Sequence, residues 1–348
     1  MSKFFSLTAL AAATTLSASA VFAQVNLTAE TVTPGGSAYL GPAHLAEVAA
    51  QRGIANVQLN DSAVLTNSVQ NVAEGKTDFA VMPLILPFLL SRGVGPYTSL
   101  GAEKGAELAG NLRMLFPYSL GVFFMYAFDS QGLNGWDDLA GKKVSNGPPR
   151  GAALNNARSI IQIVTGLKDG DGYEGIQVDW GQIQSIINDG TVQAVVLPEL
   201  FPNARTTEMS AAGNVTGWSI PKDVFEGEGF QKYLKAPGNA PFTADAAAIS
   251  AALGDAWTIK SEDGTFRGMS TMGSVGVNKD MDEELAYQLT KAFVETLDEL
   301  KAKAPFASNV GFDEPGNGVC GPSPYKFHPG AIRAWEEAGY TLPDCAKP

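Results

Sequence analysis

Two similar α/β lobes around a ligand cleft, joined by a two-strand hinge, are the fold this sequence predicts. Three observations carry that reading. Strand and helix patterns alternate along the chain, as parallel α/β sheets require. The same order of elements occurs twice: Gly75 and Gly190 lie 115 positions apart, as do Pro83 and Pro198, and Gly35 and Gly147 lie 112 apart. The run Leu112–Phe128 is mostly apolar and long enough to leave one lobe and enter the other.

The first copy reads as a strand over Glu30–Thr33, the loop Pro34-Gly35-Gly36-Ser37, and a helix with Leu45, Val48 and Ala49 on one face and Gly53 past its end. A strand over Asn56–Asn60, a helix over Ser68–Glu74 stopped by Gly75, and a strand over Asp78–Met82 stopped by Pro83 follow. The second copy has a strand over Lys142–Ser145, the loop Asn146–Gly151, and a helix with Ala157, Ile160, Ile161 and Val164 at helical spacing. It continues with a strand over Ile176–Asp179, a helix over Gln182–Asn188, a turn at Gly190 and a strand over Val192–Leu197. Gly276–Asn278 is the candidate return strand. Asp282–Lys303 reads as one amphipathic helix, and a last helix opens at Pro329 and closes at Gly339. Pro221–Arg267 is rich in Gly, Pro and Asp and shows no clear period. The chain thus divides into a leader (1–23), a first lobe (24–125), a second lobe (126–274) and a return to the first with a helical C-terminal segment (275–348).

Composition narrows the function. With 24 Lys+Arg against 36 Asp+Glu and a net charge of −12, the chain lacks the basic face that nucleic acid or an anionic membrane surface demands. At 45% hydrophobic and 17% charged it does not resemble a disordered chain. Met1–Ala23 has a positive start at Lys3, an apolar stretch and small residues at Val21-Phe22-Ala23, the pattern of a secretory signal cleaved after Ala23. No later run approaches the roughly 20 apolar residues of a membrane-spanning helix. Export makes a disulfide between Cys320 and Cys345 the natural use of the two cysteines. Their spacing is not C-x-x-C, and two Cys with His44 and His328 are too few ligands for a metal site, so no metal or cofactor is expected.

In parallel sheets the loop after a strand and before a helix lies at the carboxyl edge, where ligands bind. The loop at Gly35, Gly36 and Ser37 could present backbone N–H groups to an anion, with Tyr39 adding a ring with a polar tip. An ordinary turn is the bland use of Gly-Gly there. The loop through Pro149, Arg150, Gly151 and Ala152 adds a guanidinium suited to a carboxylate. Phe116, Tyr118 and the segment Met82-Pro83-Leu84 would shape the pocket, although the aromatic run as a whole reads as core. His44 reads as a helix residue, and His328 as setting the start of the last helix. No nucleophile elbow or H-E-x-x-H pair occurs, and no catalytic residue is assigned.

Three stretches resemble the solute-binding proteins of TRAP transporters of the TAXI family. They are Thr33-Pro34-Gly35-Gly36-Ser37-Ala38-Tyr39; Asp138 to Pro149, close to the family's DLKGKRVSVGPPGSG segment and followed by Asn156-Ala157-Arg158; and Phe327-His328-Pro329-Gly330-Ala331-Ile332-Arg333. The resemblance implies a type II periplasmic binding-protein fold, a glutamate-like amino acid, dicarboxylate or 2-oxo acid as ligand, and TRAP membrane subunits as partners. It places Tyr39 and the opening loop on the ligand from one lobe and Pro149–Ala152 from the other. The chain departs from the pattern at Arg150-Gly151-Ala152, and again at Val196-Leu197-Pro198-Glu199. Glu199 could pair with Arg150, take a ligand amine or face solvent. A ligand sensor, or an enzyme on the same fold, is the alternative function.

Overall fold

The computed structural model describes residues 25–149 and 151–348; the leader over 1–23 and Arg150 lie outside the described residues. The first lobe opens with β1 (Val25–Glu30), α1 (Ser37–Gln51), β2 (Ala55–Asn60), α2 (Leu65–Ala73), β3 (Phe79–Pro83), α3 (Ile85–Arg92) and α4 (Gly101–Gly110). The crossing strand β4 (Leu112–Phe128) leads to β5 (Lys143–Ser145), α5 (Ala152–Thr165), the short β6 (Lys168–Asp169), β7 (Gly172–Ile176), α6 (Ile183–Asn188) and β8 (Ala194–Glu199). Then come α7 (Ala204–Ala212), β9 (Val215–Trp218), α8 (Lys222–Glu226), α9 (Glu228–Leu234), β10 (Asn239–Asp245), α10 (Ala246–Leu253) and β11 (Trp257–Lys260). The return strand β12 (Thr265–Asn278) is followed by α11 (Glu283–Val294), α12 (Leu297–Ala302), β13 (Lys326–Phe327) and α13 (Pro329–Glu337).

The sheet order shows the duplication directly. In the first lobe the strands run β2-β1-β3-β12, the first three parallel and β12 antiparallel to β3. In the second they run β7-β5-β8-β4, again three parallel strands with the fourth antiparallel to β8. Each lobe is completed by the half of a crossing strand. β4 pairs with β12 through Leu112–Ser119 in the first lobe and with β8 through Val122–Tyr126 in the second. This is the two-lobe type II periplasmic binding-protein fold, with β4 and β12 as the hinge.

At the crossover the β4/β12 register shifts between Thr271 and Met272, opposite Ser119 and Gly121. Gly121 has φ 141°, and a Cβ there would lie 3.0 Å from Pro198. Only glycine lets β4 turn there and approach β8 so closely. One apolar cluster draws on residues from Leu27 to Tyr118 and from Met272 to Ala346, with Leu200 and Ala240 added. Two others, on the two faces of the second sheet, take Phe123, Val196 and Ile160 on one side and Phe124, Val195 and Ile187 on the other.

Several elements differ from expectation. β1 ends at Glu30, where a strand was expected to begin, and β7 ends at Ile176 in the same way. The return strand has 14 residues rather than three. Asp282–Lys303 is two helices, broken at Thr296, whose hydroxyl donates to the Ala292 carbonyl at 2.7 Å. The unassigned region Pro221–Arg267 holds α8, α9, β10, α10 and β11.

Cys320 and Cys345 form the expected disulfide, with Cα atoms 5.6 Å apart. It ties the C-terminus to a segment whose Val319, Tyr325, Phe327 and Trp335 sit in the first lobe's core. Replacing both cysteines by serine is expected to lower the unfolding free energy by about 3 kcal/mol. Urea denaturation checks it, and a loss below about 1 kcal/mol would mean that packing alone holds the segment.

Candidate ligand-binding site

The two loops that the sequence singles out follow β1 and β5, each at the carboxyl edge of its sheet. After β1, Gly35 (φ 127°) and Gly36 lead into α1. After β5, Gly147–Gly151 leads into α5, with Gly151 (φ 109°) as its N-cap. Both helices begin on a glycine, so neither start has a side-chain cap; at α1 the Tyr39 N–H turns back to the Gly36 carbonyl at 3.2 Å. A Cβ on Gly35 or Gly151 would meet nothing within 4 Å. These are open helix N-termini, positively polarised ends that favour an anion.

Ser37 does something other than offer its hydroxyl to a ligand. It is buried, and its Oγ donates to the Ser119 carbonyl at 2.7 Å. Ser119 Oγ in turn lies 2.6 Å from Ser270 Oγ and accepts from the Gly121 N–H at 3.1 Å. The opening loop is therefore bonded to β4 at the crossover, where Ser119 also ties β4 to β12. Across the lobes, a Cβ on Gly36 would be 3.9 Å from Leu200, so the loops after β1 and β8 meet. Tyr39 lies in the first turn of α1, half-buried. Pro149 and Gly151 are exposed and Ala152 half-buried, flanking Arg150, which lies outside the described residues.

The expected pocket-shaping residues are mostly core. Phe116 is fully buried and stacks on Phe293, ring centroids 3.5 Å apart. Tyr118 is fully buried against Gly41 and Phe312, and burial holds its hydroxyl well above the usual phenol range. Met82 is equally enclosed and Leu84 nearly so; only Pro83 in that segment is partly exposed. The β4 and β3 side chains point into a lobe packed on both faces, which leaves no open wall for them to line.

Glu199, at the end of β8, neither faces solvent nor waits for a ligand amine. It is fully buried. Its Oε1 accepts from Arg205 and from the Tyr126 hydroxyl, each at 2.5 Å, and its Oε2 from Asn203 at 2.6 Å. Burial and the neighbouring carboxylate push the Tyr126 hydroxyl up. Burial alone would lower the Arg205 guanidinium, but the carboxylate more than offsets it and holds Arg205 in its charged form. Asn203 also caps α7, accepting from the Thr206 N–H at 2.9 Å. Arg205 was not singled out in the sequence; its position six residues after Glu199 in a loop-to-helix turn gives no local signal.

A second network fixes the loop after β5. Asn146 is buried and donates to Asp169 Oδ2 at 3.2 Å, while its own oxygen accepts from Gln177 at 2.8 Å. Asp169 also takes Arg158 at 2.6 Å and the Gly175 N–H at 2.8 Å. Burial opposes ionisation of Asp169, yet these donors lower its pKa. Arg158 and Arg205 are thus both committed to carboxylates. A separate groove of about 640 Å³ lies at the amino edge of the first lobe, near Asp78, Asn111 and Asp280, at the opposite end of the sheet from these loops.

Two matching sheets, each with a Gly-led helix start at its carboxyl edge, and a two-strand hinge are the architecture of the two-lobe binding-protein fold. The chain belongs to the NMT1-like family, whose model matches residues 30–339. Comparison with curated proteins finds no match. Among solved structures, it is similar to a protein of Bordetella bronchiseptica RB50 at 16% identity and a TM-score of 0.50, over 92% of this chain and 99% of that one. A periplasmic aliphatic sulphonate binding protein of Escherichia coli is similar at 10% identity and TM-score 0.43 (90% and 82% of the two chains). A TRAP periplasmic solute binding protein of Shewanella oneidensis with bound succinate is similar at 10% identity and TM-score 0.45 (82% of each). At these identities the likeness is one of fold. Among the described residues, no helix is long and apolar enough to cross a membrane.

Proposed function

We propose that the chain is the periplasmic substrate-binding protein of a TRAP transporter of the TAXI type. In this reading it is exported by cleavage after Ala23, closes its lobes on a small carboxylate and passes the ligand to the membrane subunits. The observation that carries the reading is that α1 and α5 each start on a glycine without a side-chain cap, at the carboxyl edge of one of two matching sheets. The three TAXI-like stretches narrow it to that transporter class. Arg150, next in sequence to the α5 N-cap Gly151, supplies the cation in this reading. The commitment of Arg158 to Asp169 and of Arg205 to Glu199 supports that assignment, because recruiting either would expose a carboxylate to loss of its partner. Closure on the ligand runs through the Ser37–Ser119–Ser270 chain, which couples the opening loop to the hinge.

The test is a thermal-shift and calorimetric screen of succinate, glutarate, 2-oxoglutarate, glutamate and glutamine. Micromolar binding of at least one acid is expected. Arg150→Ala should weaken it by about 1.5–3 kcal/mol, as for a charged hydrogen bond. Tight binding of a neutral sugar or a cation, with no acid bound, would overturn the carboxylate reading.

A further inference from the structure

We propose that Trp180 is the apolar wall of the second lobe's ligand site and stacks on a planar, π-bearing part of the carboxylate ligand, an aryl group or a conjugated chain. The inference rests on the carboxylate-binding reading above and narrows its ligand class. Trp180 follows β7 at the carboxyl edge and is 46% exposed, the one aromatic among the exposed large hydrophobic side chains of the described residues. The other four tryptophans are buried, and each donates its indole N–H to a backbone carbonyl: Trp136 to Ser219, Trp218 to Asn134, Trp257 to Thr206 and Trp335 to Leu115. A tryptophan left half in water forgoes most of the burial that makes this residue useful, unless something covers it.

The ring is also held in place. The Arg205 guanidinium lies over it, 5.5 Å from the ring centroid. Arg205 is itself fixed by Glu199, which Tyr126 on β4 and Asn203 at the α7 cap hold in turn. The stack therefore runs from the core of the second lobe out to Trp180, with one ring face on a cation whose charge Glu199 already matches. Such a ring is immobilised before any ligand arrives, so a stacked ligand orders few further side-chain rotors. Electron withdrawal by the guanidinium on one face favours a π-system on the other. The loop after β7 is tied to the loop after β5, which leads into α5, by the Gln177–Asn146 bond at 2.8 Å; the carboxylate-binding reading puts the acid group at that helix start.

Because the other four tryptophans are buried, acrylamide quenching of the full mature chain reads Trp180 almost alone. The probes are cinnamate and 3-phenylpropionate against succinate and adipate. Saturating cinnamate should protect Trp180 from acrylamide and bind at least tenfold tighter than adipate. Trp180→Ala should lose at least tenfold on cinnamate and less than twofold on adipate, while Trp180→Phe keeps most of the cinnamate affinity. If saturated acids bind while Trp180 stays fully quenchable, or if Trp180→Ala leaves cinnamate binding unchanged, this inference fails and the carboxylate reading stands. If neither class of acid binds, the carboxylate reading fails and takes this inference with it.

Discussion

Replacing Glu199 by alanine is expected to lower the unfolding free energy by about 3–5 kcal/mol, the range for breaking a buried pair by removing one partner. The magnitude follows from what stays behind. Arg205 has only 18% of its side chain exposed and would keep a charge with no counter-ion, beside a Tyr126 hydroxyl and an Asn203 amide that have each lost their acceptor. Glu199→Gln should be nearly as damaging, since its amide N–H₂ would face the Arg205 or Asn203 donors. Removing both charges, in Glu199→Ala with Arg205→Ala, should recover part of the loss, because the unpaired buried cation is gone. Urea denaturation of wild type, the two single variants and the double variant closes the cycle. A Glu199→Ala protein within about 1 kcal/mol of wild type would show that water reaches Arg205 and that the pair is a surface one. The same variant should loosen the Trp180 platform, since Glu199 is the carboxylate that holds Arg205.

How far the sequence could be read depends on which side chains make the contact. β4 was legible from end to end because both lobes cover it, so nearly every position is apolar. Its partner β12 was not, although it lies in the same layer. Its Gly268, Gly273 and Gly276 look like loop residues, yet a Cβ at each would collide with Val122, Leu120 or Met82. The large residues of β4 and β3 need that space, and β12 yields it. β7 was misplaced for a related reason. Ile176 and Val178 alternate like a strand, but the ladder lies over Gly172–Ile176, where Gly175 makes room for the Asp169 carboxylate. The Gly-rich loops were legible because positive φ and a following helix leave a local signature. The Glu199–Arg205–Trp180 stack was not, because Trp180 and Arg205 are 25 positions apart and only the sheet order brings their loops to one edge.

Acid should destabilise the protein well before its carboxylates titrate, and His44 is the expected cause. It lies on α1 with 1% of its surface exposed, and its Nε2 is 2.9 Å from Thr296 Oγ1. That hydroxyl donates to the Ala292 carbonyl, so the ring must be the donor through Nε2. Nδ1 has no hydrogen-bond partner, and Phe293 packs edge-on at 6.1 Å, so a second proton would be buried without an acceptor. Burial is the main influence and lowers the pKa to about 4; Lys303 acts in the same direction and Glu47 against it. The unfolded chain takes up the proton near pH 6.5 and the folded one only near 4, so U binds more protons across that window and stability falls as pH drops. The full effect is about 3 kcal/mol, of which about 2 kcal/mol is lost between pH 7.5 and 5. The carboxylates whose pKa values are lowered, Glu30 and Asp169 among them, withdraw their stabilisation only below about 4.5. His328 is shifted the same way, with Nδ1 accepting from Gly330 and Nε2 facing the Met281 carbonyl, but it is common to wild type and variant. His44→Gln keeps an N–H for Thr296 and cannot titrate. It should therefore be less stable than wild type at pH 7.5 and show a flatter profile down to pH 5. Unfolding curves for the two proteins that stay parallel across that range would remove His44 as the acid-sensitive group.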